Sequence, residues 1–236
     1  MSSLKGRVIA IAGAGGGLGP AVARRLADDG ASLALTDVSQ DRLDALVSDL
    51  GLDYEHVDGH VVDLLDPDAA VEWATATKAR FGRVDGLLHL VGGWKGGDPI
   101  ATTPLADYEW LHDLLVRTVQ HASRAFYEPL TQSGTGRFVL VSSSQAQSPQ
   151  GTNASYSAAK AAAEAWTLAL ADSFEGTGAT ANIVIVNAIL TPAMREQNPD
   201  KAYPTFTPVE DIAAAIAFLC SDDAGRMNGK RLALYP

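Results

Sequence analysis

The chain has 236 residues, of which 47% are hydrophobic and 19% charged, a composition that suits a globular protein with a sizeable core. A formal net charge of -10 and a pI near 4.8 argue against partners such as nucleic acid or an anionic membrane surface. The single cysteine, Cys220, excludes an internal disulfide and fits a reducing, cytoplasmic setting. No apolar run approaches the roughly 20 residues of a membrane span, and the short N-terminal run ends in glycines, so no signal peptide is expected.

In chain order, an apolar run predicts a first strand over 7–12, followed by a glycine cluster and a helix over 17–29. A strand over 32–36 and a helix over 40–49 come next, then a strand over 56–62 and a helix over 67–81. The pattern continues with a strand over 84–90, a helix over 107–130, a strand over 136–142 and a helix over 152–174. It closes with a strand over 181–186, a helix over 208–221 and a strand over 231–234. Near-continuous apolar strands such as Val8-Ile9-Ala10-Ile11-Ala12 imply burial on both faces, and hence a parallel sheet. Alternation through about seven strands predicts a Rossmann-type, doubly wound α/β fold with helices on both faces, in one domain spanning 1–236.

Two connections, 92–99 and 191–207, are long, and both leave the C-terminal ends of predicted strands. In an open parallel sheet that edge forms the ligand crevice. His56 and His60 are four apart, but they fall in a predicted strand, where that spacing makes no ligand pair, so no metal site is expected.

Three features carry chemistry. The first strand runs into Gly13-Ala14-Gly15-Gly16-Gly17-Leu18-Gly19, where a glycine turn lets backbone N–H groups approach a pyrophosphate at a helix N-terminus. Asp37 ends the second strand, eighteen residues after Gly19. There it can accept hydrogen bonds from ribose hydroxyls and repel a 2′-phosphate, although it or Ser39 can also cap the next helix. No cation lies in the glycine turn, and the nearest after Asp37 is Arg42, so NAD(H) is expected in preference to NADP(H). Finally, Tyr156 and Lys160 lie four apart in a helical stretch and project from one face. An ammonium there favours the phenolate and makes the tyrosine a usable proton donor or acceptor.

Together these residues resemble the short-chain dehydrogenase/reductase family over nearly the whole chain. The family's G-x-x-x-G-x-G pattern falls on Gly13, Gly17 and Gly19, with Gly16 and Leu18 in the same turn. The resemblance implies adenine contacts at Asp63 and Leu64, and cofactor contacts at Val91, Gly92 and Gly93. It assigns Tyr156 to proton exchange with the substrate oxygen and Lys160 to the cofactor ribose. The family's serine, thirteen residues before the tyrosine, selects Ser143 from Ser142-Ser143-Ser144. It also implies a small-molecule substrate, a nicotinamide dinucleotide, and assembly as a homotetramer or homodimer.

Four departures are visible. The stretch Leu90-Val91-Gly92-Gly93-Trp94 lacks the family's asparagine motif, and Arg117 aligns with the asparagine that anchors a proton-relay water. A guanidinium cannot accept a hydrogen bond, and an ion pair is the simpler expectation for Arg117. The Pro-Gly after the sixth strand is missing, which leaves Ile189 and Thr191 as candidates for the nicotinamide carboxamide contact, and the usual C-terminal Asp-Gly-Gly is absent. The Gly-Gly-Trp-Lys-Gly-Gly loop and the stretch after Thr191 resemble dihydropteridine reductases, which generally do without the serine. Ser143 keeps alcohol or carbonyl chemistry ahead of that reading and of a non-catalytic dinucleotide sensor.

Overall fold

A computed structural model describes residues 3–235. The chain alternates β1 (Val8–Ala12), α1 (Gly19–Asp28), β2 (Ser32–Asp37), α2 (Gln40–Leu50), β3 (Val57–Val61), α3 (Pro67–Phe81) and β4 (Gly86–His89). It continues with α4 (Leu105–His112), a π-helical turn (Asp113–Arg117), α5 (Thr118–Ser133), β5 (Arg137–Ser143) and α6 (Ala154–Ser173). The remainder is β6 (Thr180–Val186), β7 (Ala188–Leu190), α7 (Pro192–Gln197), β8 (Phe206–Pro208), α8 (Val209–Cys220) and β9 (Arg231–Ala233).

Seven strands form one parallel sheet in the order β3-β2-β1-β4-β5-β6-β9. This is the doubly wound arrangement read from the apolar strands. All five residues of β1 are buried, because helices cover both faces of the sheet. One apolar layer joins α1, α2 and α8 to side chains such as Ile9, Ile11 and Leu88. The other joins α3, α5 and α6 to Ala10, Leu87, Phe138 and Leu140, with Trp73 packed edge-on against Phe126 at 4.7 Å between ring centroids.

Local chemistry explains the clean boundaries of α3. Asp66 caps its first turn by accepting from Asp68 N at 2.9 Å, Pro67 occupies the first helical position, and Gly82 ends it in a left-handed conformation. The predicted helix over 107–130 begins at Leu105 and is interrupted by the π-helical turn. The predicted long connection over 191–207 also differs: it holds α7, while β7 and β8 pair as a separate two-stranded parallel sheet. A three-residue strand has too little pattern to stand out from a loop.

β1 lies between β2 and β4, and the strand order reverses there. A crevice therefore opens beyond the C-terminal ends of β1 and β4, which is where the chain places its glycine turn.

Candidate active site

A cleft of about 870 Å³ occupies this edge. Gly13, Gly16, Gly17, Leu18, Asp37, Asp63, Leu64, Val91, Gly92 and Gly93 line it, together with Ser143, Tyr156, Lys160 and Ile189. Residues far apart in sequence thus share one cavity. Gly19 and Thr191 do not contribute to its lining. A Cβ at Gly19 would sit 2.0 Å from Ala14 O, so this glycine permits the close return of the turn onto α1. Thr191 accepts from Met194 N at 3.3 Å, which makes it the N-cap of α7, and its methyl packs toward Gly17.

At Gly13 the backbone takes φ +78°, and a Cβ would lie 2.9 Å from Val91 N. Only glycine lets the end of β1 approach the end of β4 this closely. The cradle fits a dinucleotide phosphate, because Gly13, Gly16 and Gly17 bring bare backbone to the cleft wall.

Asp37 is buried and accepts from Gly15 N at 3.1 Å and from Ser39 N at 3.2 Å. Arg42 Nη2 also reaches Asp37 Oδ1 at 2.9 Å and lines the cleft. In the sequence Arg42 is the nearest cation but not adjacent to Asp37. One turn into α2, however, it folds back over the carboxylate, so this end of the cleft carries a paired charge rather than an isolated acid. Ser39, rather than Asp37, caps α2 through Arg42 N at 3.4 Å. Asp63 accepts from Leu65 N at 2.9 Å, which holds the turn after β3 against the cleft.

β5 ends on three serines that diverge. Ser142 Oγ donates to Glu164 Oε1 at 2.7 Å, and Ser144 Oγ donates to Asn187 Oδ1 at 3.1 Å. Ser143 accepts from Gln145 N at 3.3 Å, and its hydroxyl is close enough to Tyr156 to favour the phenolate. Strand alternation separates Ser143 from its neighbours, and the tertiary structure decides which of the three meets the tyrosine.

Tyr156 and Lys160 share one face of α6, as their spacing predicts. Lys160 Nζ lies 5.9 Å from the Tyr156 ring centroid and donates to Val141 O at 3.0 Å. Burial pushes the Tyr156 phenol up, with the Ser143 hydroxyl opposing it. The expected lowering by Lys160 is not the controlling effect here, since the ammonium is directed at a carbonyl. Burial brings Lys160 itself down from 10.5 to about 8, against the opposing pull of Glu164.

Arg117 lies off the cleft. Its side chain is more than half exposed, and its Nε meets Asp113 Oδ1 at 3.2 Å, the ion pair expected from the sequence. The π-helical turn adds a residue to the helix and rotates the register, bringing Leu114 and Thr118 to the cleft. Thr118 Oγ1 is occupied by Leu114 O at 2.6 Å. Neither residue offers an amide where the family's relay asparagine is expected.

The sequence reading did not single out Trp110, Gln145 or Asn153, which also line the cleft. Trp110 packs over Gly93, where a Cβ would fall 2.7 Å from its ring, and Lys95 lies 4.9 Å above the Trp110 centroid. Trp94 is 56% exposed at the same mouth. The glycines of the 92–97 loop were the available signal, since close packing against a large ring requires them.

The family model described as enoyl-(acyl carrier protein) reductase matches residues 13–234. Levodione reductase of Leifsonia aquatica is 32% identical over 241 residues, covering 94% of this chain and 90% of its own. The crystal structure of levodione reductase superposes with a TM-score of 0.87 at 29% identity, over 98% of this chain and 96% of that one. A blue fluorescent protein from a metagenomic library, solved in complex with NADPH, superposes with a TM-score of 0.85 at 29% identity, over 99% and 98%.

Proposed function

Because this chain belongs to the short-chain dehydrogenase/reductase family, we propose that it is an NAD-dependent oxidoreductase acting on a small alcohol or carbonyl compound. The carrying observation is the convergence of Ser143, Tyr156 and Lys160 with the glycine turn in one cleft. On this reading the whole chain is a single cofactor-binding domain working in the cytoplasm.

When bound, the nicotinamide cofactor supplies or accepts the hydride. The turn from Gly13 to Leu18 would hold the pyrophosphate, Asp37 the adenosine ribose, Asp63 and Leu64 the adenine, and Val91 to Gly93 the adjoining backbone. Ile189, which lines the cleft, is assigned to the nicotinamide end, with Thr191 supporting it from the rim. Tyr156 gives its proton to the substrate oxygen in reduction and takes it back in oxidation. Ser143 donates a hydrogen bond to the same oxygen and fixes its place. Lys160 holds the ribose hydroxyls and keeps positive charge near the phenol.

Preference for NAD(H) rests on Asp37, and Arg42 moderates it by pairing with that carboxylate. Among similar folds, one is solved with NADPH and xylitol dehydrogenase with NAD+, so the fold alone does not fix the choice. A second reading, reduction of a flat quinonoid dihydropterin, is favoured by the exposed Trp94 at the cleft mouth, while Ser143 beside Tyr156 favours carbonyl chemistry. Assembly as a homodimer or homotetramer is supported by the groove between α5 and α6, where Tyr127 and Trp166 leave apolar surface uncovered.

Steady-state assays with NADH and NADPH, a carbonyl panel and quinonoid dihydropterin test the proposal. Wild type is expected to turn over a carbonyl substrate and Tyr156→Phe to lose at least about a hundredfold in kcat. Tight NADH binding without turnover in either protein would instead identify a dinucleotide sensor.

A further inference from the structure

We propose that Glu164 is a positioning residue of this site: it sets the charge held by Lys160 and anchors the strand end carrying Ser143, with Arg231 of β9 balancing it. The inference rests on the proposed proton transfer by Tyr156 and Lys160.

Glu164 is the next step along the stripe that begins with Tyr156 and Lys160 on α6. Its side chain is 2% exposed, yet it is a carboxylate, and a buried anion persists only when donors surround it. Three side chains do so. Ser142 Oγ donates to Oε1 at 2.7 Å, Arg231 Nε to Oε2 at 2.7 Å, and Gln147 Nε2 to Oε2 at 3.4 Å. Ser142 immediately precedes Ser143, and Gln147 follows it by one short turn, so Glu164 holds a side chain on each side of the candidate serine.

The charge relationship points the same way. The titratable groups facing Lys160 are Tyr156 and Glu164 from its own helix and His89 from β4. His89 is neutral and Tyr156 uncharged at neutral pH, which leaves Glu164 as the anion that opposes the loss of the Lys160 proton. Arg231 pairs with Oε2, and its positive charge weakens the field that Glu164 exerts on Lys160. If Glu164 served only the fold, its replacement by glutamine would leave the titration of Lys160 in place.

The test compares wild type, Glu164→Gln, Glu164→Asp and Arg231→Gln by pH profiles of carbonyl reduction and of NADH affinity, read by fluorescence. Glutamine keeps the size and one acceptor oxygen but not the charge. Glu164→Gln should bring the alkaline loss of kcat and of NADH affinity down by about half a pH unit or more, and Glu164→Asp should restore it. Arg231→Gln should move the same limb upward by a smaller amount. Superimposable profiles, or Glu164→Gln and Arg231→Gln moving in the same direction, would overturn the proposal. If no variant turns over a substrate, the NADH profiles still decide it: opposite displacements support the role of Glu164 while removing the proposed oxidoreductase activity.

Discussion

Arg42 Nη2 lies 2.9 Å from Asp37 Oδ1, so the acid that ends β2 meets the cleft already paired with a guanidinium. The two charges pull cofactor choice in opposite directions. Asp37 favours the free 2′-hydroxyl, whereas Arg42 is a cation within reach of a 2′-phosphate.

Asp37→Ala is therefore expected to narrow the preference for NADH over NADPH by about tenfold, by removing the repulsion and freeing Arg42. Arg42→Ala should widen it. Calorimetric titration of both nucleotides checks this, and equal affinities in wild type would remove the role given to Asp37.

His89, at the end of β4, is buried with neither ring nitrogen hydrogen-bonded, although its own backbone and that of Thr118 weakly favour its charged form. Burial, with repulsion from Lys160, brings its pKa from 6.5 down to about 3. The folded value lies below the unfolded one, so this contribution to stability is complete above 6.5 and is lost as pH falls toward about 3. At pH 5 the loss is roughly 2 kcal/mol. His89→Leu should lose correspondingly less stability between pH 7.5 and pH 5 in urea denaturation, and parallel losses in the two proteins would contradict the assignment.

Lys160 follows the same logic at the alkaline end. Its folded value of about 8 lies below the ordinary 10.5, so holding the charged lysine costs stability below about 8. The cost is on the order of 3 kcal/mol and fades as pH rises toward the unfolded value. Lys160→Met is expected to be more stable than wild type at pH 7 and to lose that advantage near pH 10, while giving up turnover. A variant less stable at both values would show that the Val141 contact outweighs burial of the charge.

Gly13→Ala places a side chain at φ +78° and 2.9 Å from Val91 N. Gly51 has a comparable φ of +62° but open space where a Cβ would go. Gly51→Ala should cost about 1 kcal/mol from backbone strain, and Gly13→Ala about 1–3 kcal/mol more, together with most of the NADH affinity. Equal melting temperatures for the two variants would argue against the close approach of β1 and β4.

Sequence alone determined the features whose cause is local. The apolar strands, the ends of α3, the glycine turn and the Tyr156–Lys160 spacing all follow from backbone geometry and patterning within a few residues. The resemblance selected Ser143 from three serines, where spacing offered no reason to choose, and the fold sets that serine beside Tyr156. Only the tertiary structure decided the rest, because the deciding contacts join distant segments or alter helical register. The π-helical turn before Thr118 turns Arg117 away, and a pattern read at 3.6 residues per turn cannot register one extra residue. The Arg42–Asp37 pair is close in sequence, but it forms only because the turn between β2 and α2 sets both side chains at the cleft. Glu164 meets Arg231 only after β9 has joined the sheet, 67 residues further along the chain. Burial then determines the electrostatics, as with Lys160 and His89, because desolvation depends on what the whole fold packs around a group.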